Sequence, residues 1–156
     1  MKTNSIGLAV DESVVMVEEL NVLLANFQIY YQNLRGLHWN IKGKRFFDLH
    51  VKFEELYNDS QLKIDSIAER ILTLEGVPLH TFEDYIKKSV IVVGKNISND
   101  EKAIQLIVDS LSQLLNLERK ILGDASNIND EGTNSMMSDF IAEQEKTTWM
   151  MKAWLS

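Results

Sequence analysis

The 156-residue chain contains no cysteine, one proline and seven glycines. The first absence excludes disulfides and any metal site built on thiolates. The scarcity of Pro and Gly removes the residues that punctuate strands and turns, which favours long helices. No apolar run approaches the roughly 18 residues of a membrane helix. The opening MKTNSIGLAV lacks the hydrophobic region of a signal peptide, so a cytoplasmic location and no membrane partner are expected. Positive charge is also short: 16 Lys and Arg stand against 23 Asp and Glu, a net charge of −7. Bulk affinity for nucleic acid is therefore not expected, while attraction of cations is.

What is present is apolar periodicity. Apolar residues make up 45% of the chain, enough for one domain spanning residues 1–156 with a sizeable core. Leu20, Leu24, Phe27, Tyr31 and Leu34 recur at helical spacing and predict a first helix over about Leu8 to Leu37. A turn with Gly43 follows. From His50 to Leu74 there is neither Pro nor Gly, and the apolar residues Leu49, Phe53, Leu56, Tyr57, Ile64, Ile67, Ile71 and Leu74 predict one long second helix. Gly76 and Pro78 mark its end. Residues 77–98 form a long connection, with Thr81 and Asp84 capping a short helix in TFEDYIKKS and Val90 to Val93 as packed loop. Such a length suits a crossover that returns the chain to the far end of a bundle. Ser98 with Glu101 reads as the capping box of a third helix ended by Gly123. GDASNINDEGTN reads as an acidic loop, and a last helix covers about Glu131 to Leu155. There is no internal repeat. The expected fold is all-α: a four-helix bundle with a short extra helix in the crossover between helices two and three.

The second helix also carries chemistry. At about 100° per residue, His50, Glu54, Asp65 and Glu69 lie at roughly 0°, 40°, 60° and 100°, one stripe of metal-capable side chains. Each alone reads as an ordinary solvated residue; the alignment is what singles them out. His38, at the end of the first helix, can fold toward His50 across the turn. Imidazole and carboxylate without thiolate suit iron, zinc, manganese or cobalt. His50 and Asp65 are about 22 Å apart along the helix, too far to share an ion within one chain. An antiparallel second copy related by a two-fold axis would bring His50 of one chain to Asp65 and Glu69 of the other, making two equivalent sites. The chain contains no Glu-x-x-His, which argues against the usual in-bundle dimetal centre built on that motif and agrees with a shared site.

LHWNIKG, FFDLHVKFEELY and IDSIAERI, with the tail WMMKAWL, resemble the Dps mini-ferritins along essentially the whole chain. The resemblance implies a ferritin-like bundle assembled into a hollow homododecamer. It implies oxidation of Fe(II), with hydrogen peroxide as the favoured oxidant, and storage of ferric mineral, protecting against oxidative damage. It assigns the ferroxidase ligands to His38 and His50 of one subunit and Asp65 and Glu69 of its two-fold mate, with Glu54 as a further candidate. The iron would be a pair, or one firm ion with a weaker second, at the two-fold interface. It places Trp39 near the iron, where radical quenching and simple burial are alternatives. Asp124, Asp130, Glu131 and Asp139 are candidates for an iron entry route. His80, Trp149, Trp154 and the methionines read as surface or packing residues. Family members that bind DNA use a lysine-rich tail, and MKTNSIGLAV offers only Lys2, so DNA binding is expected to be weak or absent. The rival readings are a DNA-protecting assembly with a vestigial or structural metal site, and a plain helical oligomer that binds zinc.

Overall fold

The computed structural model describes residues 1–156 as five helices: α1 (Val10–Asn40), α2 (Phe46–Thr73), α3 (Phe82–Lys88), α4 (Asp100–Asn127) and α5 (Glu131–Leu155). The four long helices form the bundle and α3 sits in the crossover. The core runs along the middle, with Leu20, Leu24, Phe27 and Leu34 of α1 packed with Phe53, Ile67 and Ile71 of α2, Ile104, Ile107, Leu111 and Leu114 of α4, and Met137 of α5. Tyr30 rather than Tyr31 completes the buried stripe of α1.

The crossover climbs the length of α1, held at three levels by asparagine side chains. Asn21 donates to the Val77 carbonyl and accepts from the Leu79 amide. Asn26 accepts from Ser89, Val90 and Ile91. Asn33 donates to the Val92 carbonyl and accepts from the Gly94 amide. Val90–Val93 is thus loop in which the Val90 and Ile91 amides and the Val92 carbonyl are satisfied by side chains. The Lys42 amide donates to the Ser98 carbonyl, which delivers the start of α4 beside the α1–α2 turn. α2 and α4 therefore run the same way.

Helix ends refine the expectations. α2 starts at Phe46 and closes in a Schellman motif: Gly76 N–H donates to Ile71 O, and Glu75 N–H to Leu72 O. Glu75, not Gly76, takes the left-handed conformation, with φ 66°. Gly76 is required by proximity instead, since a Cβ there would lie 2.5 Å from Val17 Cγ1. Thr81 caps α3 by accepting from the Asp84 amide, as expected. α4 is capped by Asn99, which accepts from the Lys102 amide, rather than by Ser98. Nor does Gly123 end α4. The helix runs four residues further, because burial of Ile121 and Ala125 outweighs the roughly 1 kcal/mol that an interior glycine costs. The expected acidic loop shrinks to Ile128–Asp130, with Asn129 at φ 63° and Asp130 capping α5 through the Thr133 amide.

Candidate metal centre

The α1–α2 turn faces His38 and His50 toward each other, ring on ring, with centroids 3.7 Å apart and planes 9° from parallel. Each imidazole is tied to the other residue's backbone. His38 Nδ1 lies 2.6 Å from the His50 carbonyl and His50 Nδ1 lies 2.7 Å from the His38 carbonyl. The His38 carbonyl belongs to the last turn of α1, where helical carbonyls lack an intrahelical donor. A carbonyl only accepts, so both Nδ1 atoms carry the proton and, in the neutral rings, both Nε2 atoms present lone pairs. This orienting hydrogen bond is the arrangement that metal-binding histidines use.

Glu54, one turn beyond His50, lies nearer the other histidine: its Oε1 is 3.5 Å from His38 Nε2. With His38 neutral, two acceptors face each other with no proton between them, a geometry that a cation resolves. Aromatic rings hold the pair in place. Phe46 stacks on His50 at 4.8 Å, and Tyr57 meets His38 edge-on at 5.4 Å. His38 is buried and His50 half-buried.

The structure brings His38, His50 and Glu54 to one end of the bundle. It does not bring Asp65 and Glu69 there. Both are exposed on the same helix further along, and no three His, Asp or Glu side chains of the chain close around one point. Trp39 is exposed, with the Arg35 guanidinium 5.0 Å over its ring. Two of the four acids expected to form an entry route have other employment. Asp124 lies on α4 and accepts from Lys120 at 2.7 Å, which holds its carboxyl below the usual range. Asp130 is buried against Arg70 at 2.5 Å. Glu131 and Asp139 remain exposed on α5.

One buried polar group escaped sequence reasoning. Glu118 of α4 is fully buried, with one carboxylate oxygen accepting from Gln144 and the other without a partner. Burial pushes its carboxyl up to about 8, with Gln144, Lys63 and Arg119 opposing the shift. Lone positions on two amphipathic helices carry no local signal of such a pair.

The chain matches the ferritin-like domain over residues 17–156. It is 38% identical to a DNA protection during starvation protein of Porphyromonas gingivalis, over 95% of this chain and 93% of that one. The chain belongs to the Dps family. Among solved structures, the Dps protein of Vibrio cholerae, described as a member of a broad superfamily of ferritin-like diiron-carboxylate proteins, superposes with a TM-score of 0.98. It shares 51% identity and covers 100% of this chain and 98% of its own. The Dps of Staphylococcus aureus superposes with a TM-score of 0.88 at 32% identity, over 90% of this chain and 95% of its own. The Dps fold of α1–α5 thus agrees with the bundle and crossover helix read from the sequence.

Proposed function

We propose that this Dps-family chain oxidises Fe(II), with hydrogen peroxide as the preferred oxidant, and stores the ferric product inside a hollow dodecamer, so limiting oxidative damage. The observation that carries the reading is the reciprocal histidine lock, which leaves both Nε2 lone pairs unused at one end of α2, with the Glu54 carboxylate beside that of His38. The resemblance to a protein described as one of the ferritin-like diiron-carboxylate proteins supports iron as the substrate.

The remaining ligands come from a two-fold mate. His50 pairs with Glu69, and Glu54 with Asp65, about the same midpoint, between Asp59 and Ser60. One antiparallel register of two α2 helices therefore satisfies both pairs and repeats the site on the other side of the axis. The same stripe of α2 carries exposed Val51, Leu62 and Leu72, apolar surface that pairing would cover. His38, His50 and Glu54 of one chain and Asp65 and Glu69 of the mate together hold two Fe(II) ions, or one firmly and a second more weakly. Peroxide then takes one electron from each Fe(II), and with two protons yields two waters without releasing hydroxyl radical.

A DNA role has less support. The first nine residues are folded rather than presented as a cationic arm. The Val10 amide donates to the Lys2 carbonyl, Thr3 bridges Ala9, and the Ser5 amide donates to Glu75 at 3.0 Å. With a net charge of −7, retention of DNA in a gel shift is expected only at low ionic strength; tight retention at physiological salt would favour the DNA-protecting reading.

Stopped-flow absorbance after mixing Fe(II)-loaded protein with peroxide or oxygen tests the proposal. Fast ferric formation is expected, quicker with peroxide. Oxidation no faster than in buffer would refute it.

A further inference from the structure

Two cationic side chains of α2, Lys63 and Arg70, turn inward to α5. Seven residues apart, they lie about 20° from each other round the helix, on one stripe. The Lys63 ammonium is buried, and donates to Glu143 of α5 at 2.7 Å and to Asp59 at 2.5 Å. Arg70 Nε donates to Thr133 at 3.0 Å and its Nη2 to Asp130 at 2.5 Å, at the cap of α5. Asp130 is itself fixed, since its carboxylate also accepts from the Thr133 amide and hydroxyl. Gly132 belongs to the same joint. Glycine weakens a helix, but a Cβ at this position would lie 2.7 Å from Arg70 Nη1. The missing side chain lets the guanidinium lie against the first turn of α5. These clips span a seam: α1 packs closely along α2 and α4 along α5, while the α2 and α5 backbones approach each other little.

Asp65 and Glu69, the carboxylates proposed for the mate's site, stand between the two clips in sequence and roughly 100–160° round the helix from them. Both are exposed. The Glu69 carbonyl accepts from Thr73, yet neither carboxylate is held by another group of its own chain. His38 and His50 orient each other, whereas Asp65 and Glu69 go where the backbone of α2 puts them. We propose that Arg70, anchored on Asp130 and Thr133, is a positioning residue for the shared iron site and acts in trans. It sets Asp65 and Glu69 of its own α2 against the histidines of the two-fold mate. Lys63 supplies the second point that a fixed setting of the helix needs. The guanidinium suits the task because its planar fork engages two fixed partners at once.

This inference rests on the shared-site reading, and mixed assemblies separate the two. When His50→Ala chains are co-assembled with chains carrying both Asp65→Asn and Glu69→Gln, the intact site of each mixed pair takes its carboxylates from the first chain and its histidines from the second. Arg70→Met is then added to one chain or to the other. Either assembly carries it once per mixed pair, so a general loss of stability weighs on both alike. On the carboxylate donor it should weaken Co(II) binding at the intact site several-fold, read from the visible absorbance of the bound ion, and slow iron oxidation. On the histidine donor, whose own carboxylates are already gone, it should leave both unchanged. Gly132→Ala keeps every charge but crowds the guanidinium off α5. It should show the same asymmetry more weakly, and it carries the comparison if Arg70→Met fails to assemble. Equal effects from the two placements, or no effect from either, would overturn the inference alone. Parent chains that co-assemble without gaining Co(II) sites or oxidation over either component would overturn the shared site beneath it.

Discussion

Two of the polar centres in the bundle are built in opposite ways. At the α1–α2 turn, His38 and His50 satisfy each other's Nδ1 through backbone carbonyls and turn their Nε2 atoms to other partners, that of His38 lying 3.5 Å from Glu54. In mid-bundle, Glu118 is fully buried, with Gln144 as its only hydrogen-bond partner and one oxygen paired with nothing. The first arrangement fixes orientation and keeps the reactive lone pairs available. The second places its carboxylate in the interior, where burial favours the protonated form. Ferritin-like dimetal proteins place their metals in the bundle core, using Glu-x-x-His motifs. In this chain the candidate ligands His38, His50 and Glu54 stand at one end of the bundle instead.

Substitutions should separate the two centres. The largest effect is expected from His50→Ala, which removes one lone pair and the ring stacked on His38 while keeping the backbone carbonyl that orients His38. Iron oxidation with peroxide should fall by at least on the order of tenfold, with the thermal midpoint and assembly size little changed; normal rates would move the site elsewhere. Next comes Leu62→Asp, beside the proposed two-fold midpoint. Placing like charges across that axis should shift sedimentation toward smaller species and slow oxidation together, although His38 and His50 are untouched. A full-sized, fully active assembly would break the antiparallel register.

Glu118→Gln should do the reverse, sparing oxidation and changing stability. The folded-state pKa of Glu118 lies near 8, above the unfolded 4.5. Between those values the folded chain holds a proton that the unfolded chain releases, so this group's penalty on folding is absent below about pH 4.5 and grows up to about pH 8. Glutamine should therefore stabilise by roughly 1–3 kcal/mol at pH 7, with the gain vanishing as pH falls to about 4. Thermal melts across that range read it directly. A gain that did not depend on pH would mean that Glu118 is ionised in the fold.

The sequence exposed what depends on period. The helices, the crossover and the stripe through His50, Glu54, Asp65 and Glu69 follow from apolar spacing and a rotation of about 100° per residue. Features set by contacts distant in sequence were not legible. Asn21, Asn26 and Asn33 each bind backbone about 60 residues away, and nothing local distinguishes them from surface asparagines. Ser98 and Asn99 are adjacent and chemically equivalent caps, so pattern alone selected the wrong one. Gly123 looked like a terminus because its cost is local, whereas the burial that carries α4 past it is not. The histidine lock involves backbone carbonyls, which every residue has. Spacing showed that the two rings could meet, but not that each would fix the other's tautomer.

The central claim is that one iron site draws ligands from two chains, and complementation tests it most directly. His50→Ala chains and chains carrying both Asp65→Asn and Glu69→Gln should each oxidise iron poorly alone. When the two are unfolded, mixed in equal amounts and reassembled, random pairing across the two-fold axis should restore about a quarter of the wild-type sites. Each mixed pair has one site with all its histidines and carboxylates intact. Activity recovering toward that fraction is the predicted result. A mixture no more active than its components, in assemblies shown by mass spectrometry to contain both chains, would contradict the shared site.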